Sequence, residues 1–402
     1  MAHLREHRRS SQVICAIFLV LVLLASSCVP AAQPGGTPGA QGTGAGSKDT
    51  MKIGMVFSLS GGFSGPCGAI KRGIDTEIEI FNKQGGINGR PVEMIVYDDQ
   101  SKPEEAALLL KKLAQQDNVP VIMGPCLAAM IVPNKAAVQD TKTPAMSFGA
   151  INITKDDQYL FTLVQPVEMG LDFYLAYSKK QGWTKVATID TTDDLGERAH
   201  AYLKTKVPQL GMQLVAEERY GLSDADVTPQ LSKIKAANPQ VLMNWASGDP
   251  AALVYKNARQ IGLDVPDWPS SAAGTSTFFK LTGDVPKKNL LMTIGSKLQV
   301  ADQLADSDPV KKEAQDFVQA FQAKFNSKPE YSEAIGADSA RLVLDALKSS
   351  GPDRAKINSA LENAKLKGLA ADYAMTPSNH NAVDPASFIA VTAQGSSWVK
   401  AD

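Results

Sequence analysis

Met51-Lys52-Ile53-Gly54-Met55-Val56-Phe57 opens the stretch, running on to Ser101, from which the fold can be read. The run is almost continuously apolar, has the length of one strand and is closed by Ser and Gly. Such runs belong to strands covered on both faces. A Gly-rich loop, residues 60–68, follows it. Ile70, Ile74, Ile78 and Phe81 then recur at helical spacing, while Lys71, Arg72, Asp75, Glu77 and Lys83 keep the opposite face polar. Gly85-Gly86 ends the helix, since a backbone without Cβ takes the left-handed C-cap freely. An Asn88-Gly89 turn leads into a second strand, 91–97, which stops at Asp98-Asp99. Strand, helix and strand in this order seed a doubly wound parallel sheet.

The same rhythm continues outward. Ser101 and Glu104 have the spacing of a capping box, ahead of a helix that turns Ala106, Leu109, Leu110 and Leu113 inward. Strands are expected at 119–123, 144–147 and 159–164, and a helix from Val167 to near Gly182. The pattern then restarts with strands at 185–190, 213–217 and 240–245. Helices at 196–210, 228–237 and 249–261 separate and follow them, the last with Asp249 as N-cap, Pro250 in its first turn and Gly262 as C-cap. A strand at 290–294 precedes a long helix lined by Val310, Ala314, Phe317, Phe321 and Phe325, then a helix at 333–348. The tail, with Tyr373, residues 379–381 and an apolar run 388–393 before Gly395, reads as closing hairpin strands. The expected fold class is therefore α/β, with two doubly wound parallel-sheet lobes in tandem. Open sheets of this kind bind ligands beyond the carboxyl ends of their strands, and two such edges facing one another form a closable cleft.

Composition bounds the function. The chain has 402 residues, 44% of them apolar, and a net charge of −1, so no basic excess points to nucleic acid. Four cysteines and four histidines leave little material for a metal cluster, and no metal or cofactor is expected. At the N-terminus, Arg5, Arg8 and Arg9 precede an apolar stretch of 13 residues, 13–25. As a helix it would span roughly 20 Å, short of the ~30 Å of a bilayer core, which fits a cleaved export signal. Ala25-Ser26-Ser27-Cys28 resembles the end of a bacterial lipoprotein signal, cut ahead of Cys28, which then carries the lipid. Ala25 departs from the leucine usual at that place, and a plain secretory signal over 1–27 is the alternative. Residues 28–50, almost all Ala, Pro, Gly, Gln, Thr and Ser, form a tether.

Other chemistry is weighed residue by residue. Gly61-Gly62-Phe63-Ser64-Gly65 follows a strand, yet it lacks the G-x-G-x-x-G spacing and Asp98-Asp99 lies too far on for a dinucleotide fingerprint. Cys67 and Cys126 follow the first and third strands, which neighbour one another in a doubly wound lobe. A disulfide and a pair of free cleft-lining thiols both remain open. His200 sits mid-helix and His380 reads as a surface turn residue; neither stands beside a cysteine in any hydrolase pattern. Trp245 ends a strand, where it either stacks on a ligand or packs.

Asn82-Lys83-Gln84-Gly85-Gly86-Ile87-Asn88-Gly89-Arg90-Pro91-Val92-Glu93, with 97–101, 226–231 and 258–263, resembles the type I periplasmic binding proteins, in particular the branched-chain amino-acid binding proteins of ABC importers. The resemblance implies a three-stranded hinge, one lobe of 51–165 plus 292–370 and a second of 166–291 plus 371–402. It implies a monomeric, non-enzymatic clamp for a small solute, lipid-anchored outside the cytoplasmic membrane and presenting its cargo to an ABC permease. A membrane sensor is the first alternative and an exported enzyme the second. The ligand set it implies is Phe63, Ser64, Cys67, Leu127, Ala128, Ala129, Phe148, Gly149, Ala150 and Ile151 from one lobe. Asp190, Leu195, Trp245, Ser247, Ser271 and Ala272 come from the other. Within that set, Ala128 and Ile151 fall where the subgroup has serine and threonine hydroxyls, Ser271 where it has an acid, and Leu195 where it has an aromatic. A buried ammonium without a charged partner costs several kcal/mol. The expected guest is therefore an apolar solute with one carboxylate or carbonyl, set against backbone N–H groups at Ala128, Ala129 and Ala150.

Overall fold

The computed structural model describes residues 50–246, 249–287 and 290–401. The opening unit forms as the pattern predicts: β1 (Met51–Phe57), α1 (Ser64–Lys83) and β2 (Val92–Asp98). α2 (Pro103–Gln115), β3 (Ile122–Cys126), the short α3 (Ala128–Ile131), α4 (Lys135–Thr141), β4 (Ala145–Phe148) and β5 (Leu160–Thr162) complete the first half. Its five strands lie parallel in the order β2-β1-β3-β4-β5. Alternate side chains of β1 explain its unbroken apolar run. Ile53, Met55 and Phe57 enter one apolar cluster, and Val56 enters the other, with Leu110, Leu113 and Ile122. Both faces of the strand are covered, as a parallel sheet between helices requires.

The chain then builds α5 (Val167–Lys180), β6 (Lys185–Thr191), α6 (Asp194–Gln209), β7 (Gln213–Tyr220), α7 (Thr228–Ala236), β8 (Val241–Trp245), α8 (Asp249–Gln260), β9 (Asp267–Pro269) and α9 (Ser276–Thr282). These give a second parallel sheet, β7-β6-β8-β9. After β10 (Met292–Gly295) come α10 (Lys311–Phe325) and α11 (Tyr331–Ser350), which return to the first half and pack on α1. The crossing of α1 and α11 is backbone on backbone. A Cβ at Gly73 would lie 2.1 Å from Glu333 O, and one at Gly336 would lie 2.2 Å from Ile70 O.

After α12 (Arg354–Glu362), β11 (Lys365–Lys367), β12 (Asp372–Ala374) and β13 (Val383–Asp384) form a small antiparallel sheet on the first half. Thr162 N donates to His380 O, and Asn381 Nδ2 donates to Val164 O, so the tail up to 384 stays on the edge of the first sheet. β14 (Ile389–Gln394) pairs antiparallel with β10, and β15 (Ser397–Lys400) pairs with β14 across a turn at Gly395. The resemblance assigns everything from 371 onward to the second half, whereas His380 and Asn381 bond to the first. No helix among the described residues is long and apolar enough to cross a membrane.

Two local expectations fail for the same reason. Ser101 does not cap α2, whose N-cap is Lys102. Its hydroxyl donates to Ser60 O and accepts from Phe63 N, so a tertiary contact outcompetes the local one. His380 is 6% exposed, not a surface residue; it stacks on Phe161 at 4.2 Å, with Nδ1 3.1 Å from Leu160 O.

Candidate functional site

The carboxyl ends of the first sheet carry three loops. The loop after β1 is stapled to the end of β2: Asp98 Oδ1 accepts from the backbone of Leu59, Ser60 and Gln100, at 2.9, 3.1 and 2.9 Å. Burial pushes the Asp98 carboxyl up, but the Ser60 side chain and those N–H groups outweigh it and hold it below the ordinary range. Asp99 is fully buried and accepts from Ser58 Oγ at 2.6 Å. The acidic pair therefore builds the rim. Phe63 and Ser64 lie half-buried where this loop enters α1, and Ser64 Oγ donates to Gly61 O.

The loops after β3 and β4 are interlocked with it. Cys67 on α1 and Cys126 at the end of β3 form a disulfide, with Cα atoms 6.0 Å apart. Leu127 follows with φ of 69°, an uncommon backbone for a branched residue, and donates its N–H to Phe148 O. Phe148 meets Phe57 edge-on at 5.2 Å. Gly149 is needed where it stands, because a Cβ there would lie 2.7 Å from Ala128 N and from Ile131 Cδ1. Gly149→Ala is expected to cost ~1–3 kcal/mol and to shift the loop carrying Ala128 and the exposed Ala129. Urea denaturation checks this, and an unchanged midpoint would contradict the contact.

In the second half, Asp193 caps α6 by accepting from Gly196 N at 3.1 Å and from Thr191 Oγ1 at 2.5 Å. The cap sets the half-buried Leu195 on the first turn. One turn on, Arg198 reaches the other half: Nη1 donates to Ala150 O at 3.4 Å while Nη2 pairs with Glu168 at 3.1 Å. The loop after β9 makes a second link, in which Gln165 Nε2 donates to Ser271 Oγ at 2.9 Å and Tyr331 OH donates to Gln165 Oε1 at 2.7 Å. Glu330 Oε1 also accepts from Ser276 N. Contacts between loops at the carboxyl ends of the two sheets thus join the two halves at separate places.

Besides Cys67 and Phe148, three residues of the expected ligand set make interior contacts. Asp190 is fully buried, its Oδ2 accepting from Thr188 Oγ1 at 2.7 Å and lying 3.1 Å from His200 Nδ1 under α6. The hydrogen bond to Asp190 raises the His200 imidazole. Ile151, 2% exposed, joins the apolar cluster between the first sheet and its α2 and α4 layer. Trp245 packs in the core against Tyr174 at 5.5 Å and over Gly170. Leu127, Ala128, Ala150, Leu195 and Ser271 are half-buried, and Ala129 and Ala272 exposed. Ser247 and Cys28 lie outside the described residues. Arg198, Gln165 and Tyr331 were missed. Arg198 was within reach of sequence reasoning, standing three residues after Leu195 on one helix face. Among the described residues, no group of three His, Cys, Asp or Glu side chains is placed to hold a metal ion.

A family model described as periplasmic binding protein matches residues 50–396. The leucine-, isoleucine-, valine-, threonine-, and alanine-binding protein of Pseudomonas aeruginosa is 25% identical over 305 residues, 74% of this chain and 77% of its own. An extracellular ligand-binding receptor from Rhodopseudomonas palustris HaA2 superposes with a TM-score of 0.76 at 26% identity, covering 88% of this chain and 100% of that one. The branched-chain amino acid transporter substrate binding protein of Streptococcus pneumoniae, in complex with isoleucine, shares the fold. It covers the same shares at 22% identity, with a TM-score of 0.73.

Proposed function

The chain belongs to the periplasmic binding protein family, and on that premise we propose that it is a reversible clamp that delivers a small organic solute to an ABC permease. One lobe comprises 51–165 and 292–370 together with the tail strands up to 384; the other comprises 166–291 and the final hairpin. The chain is exported and held by a lipid on Cys28, with 29–50 as tether. The solute sits between the lobes, favours their closed arrangement, and the permease reads that closure. The observation that carries the reading is the pair of strand-end rims, joined from Arg198 to Ala150 at one place and from Gln165 to Ser271 at another.

The solute differs from those for which the relatives are named. Ala128, Leu195 and Ser271 offer neither a hydroxyl pair for a carboxylate nor an acid for an ammonium. Asp190 is engaged with Thr188 and His200, and Asp193 with its helix cap. The preferred solute is compact and apolar with one carboxylate or carbonyl, received by the backbone near 128–129 and 149–151. A thermal-shift panel tests this with leucine and 4-methylpentanoic acid, which share a skeleton and differ in the α-amine. A ligand at 100 times its dissociation constant stabilises by ~2.7 kcal/mol, enough for a clear shift with the acid. Stabilisation by leucine alone would overturn the reading and point to Asp190, whose Oδ1 is buried without a partner, or to Asp194 as the ammonium partner.

A further inference from the structure

The link between Tyr331, Gln165 and Ser271 joins residues far apart in sequence, on three different elements. Gln165 lies in the segment leaving the first sheet after β5, Ser271 in the loop at the carboxyl end of β9, and Tyr331 opens α11 on the first half. Gln165 and Tyr331 are buried, and Ser271 is half-buried at the edge of the space between the sheets.

The direction of the hydrogen bonds matters more than their number. Gln165 Oε1 can only accept, so the Tyr331 hydroxyl donates to it. The same contact turns Nε2 toward Ser271, whose oxygen receives one of its two N–H groups. The Ser271 hydroxyl is turned back to the Tyr331 oxygen, which closes the triangle, so the donor left over is the second N–H of the Gln165 amide. No carboxylate takes part. Glu330, next in sequence to Tyr331, is committed to the α11 capping box and to Ser276 N–H.

We propose that the Tyr331–Gln165–Ser271 relay is a cross-lobe tie that sets this corner of the solute site as a hydrogen-bond donor. Gln165 is the positioning residue, and the solute presents an acceptor oxygen here, not an ammonium. The inference rests on the solute site lying between the two sheets as proposed above. It goes further by naming the residue that sets preference and by predicting that the lobes are tied by the chain itself.

Two measurements on the full chain test it. In the first, Gln165→Glu replaces the amide by a carboxylate of the same shape, which Tyr331 and Ser271 can both donate to. The ratio of affinities for 4-methylpentanoic acid and leucine is expected to fall at least ~10-fold, the change produced by about 1.4 kcal/mol. A ratio within twofold of the unaltered protein overturns the donor assignment, because a merely structural amide would change the two affinities together. In the second, small-angle scattering without any solute compares the unaltered protein with Gln165→Leu and with the milder Ser271→Ala. Both variants are expected to show a larger radius of gyration at an intact folded circular dichroism spectrum, and an unchanged radius in both overturns the tie. If neither probe binds the unaltered protein, the solute reading and the donor assignment fail together, while scattering still decides the tie.

Discussion

Asp267→Asn is expected to stabilise the folded chain by up to about 4 kcal/mol at pH 8 and by almost nothing at pH 4, following the linkage between proton binding and folding. Asp267 opens β9 in the interior of the second half, and neither carboxyl oxygen accepts a hydrogen bond of good geometry. Burial pushes its carboxyl up to about 7, against the opposing pull of the Arg259 guanidinium and the Asn244 amide. In the unfolded chain the same group titrates near ~3.9. Below that value both states hold the proton and pH has no effect through this residue. Between about 4 and about 7 the unfolded state releases the proton while the folded state keeps it, so rising pH favours unfolding by ~1.4 kcal/mol per unit. The loss is complete once pH has passed the folded value. The introduced amide has no proton to lose, and it can donate to Asn244 Oδ1, which is also buried without a partner. Urea titrations at pH 4, 6 and 8 read the difference directly. A gain equal at all three pH values would show that Asp267 is not held protonated.

Removing the disulfide has an effect of similar size and opposite sign. Cys67→Ala with Cys126→Ala is expected to destabilise by about 4 kcal/mol, the chain-entropy value for a loop of this length, since the sequence separation is 59 residues. The consequence is also local. The bond ties the first turns of α1 to the end of β3, and so joins the rim loops carrying Phe63 and Leu127. Both sulfurs lie in the buried core, where a reductant acts only through opening. The unaltered protein should therefore lose the same stability when urea and reductant are applied together. A denaturation midpoint indifferent to reductant would mean that the thiols are unbonded.

The reading of the sequence was most accurate where one periodicity governs a whole segment. β1, α1, β2, α6, β8 and α10 lie where alternating or helical apolar spacing puts them, because burying such a pattern leaves few other arrangements. The neighbourhood of Cys67 and Cys126 followed from the same source, since strand order in a doubly wound sheet sets which loops lie side by side. The rim loops were legible as well, being whatever follows each strand.

What a side chain does at a strand end was not legible. Asp190 and Trp245 occupy register positions directly opposite one another, yet both are consumed by interior contacts with His200 and Tyr174. Pattern alone cannot say which of a strand's last residues faces inward. Ser101 had a capping-box spacing worth ~1 kcal/mol and was drawn instead to Ser60 and Phe63. Local propensity yields when a folded loop offers the hydroxyl two partners at once. His380 looked like a turn residue until Phe161, more than 200 positions earlier, provided a ring to stack on. Tyr331 meets Gln165 across 166 positions. Sequence determined that this chain makes two parallel sheets, each with a rim of loops at its strand ends. The tertiary structure alone decided that a neutral amide closes the corner between them, because hydrogen bonds between distant segments arise from packing and leave no periodic trace in the chain.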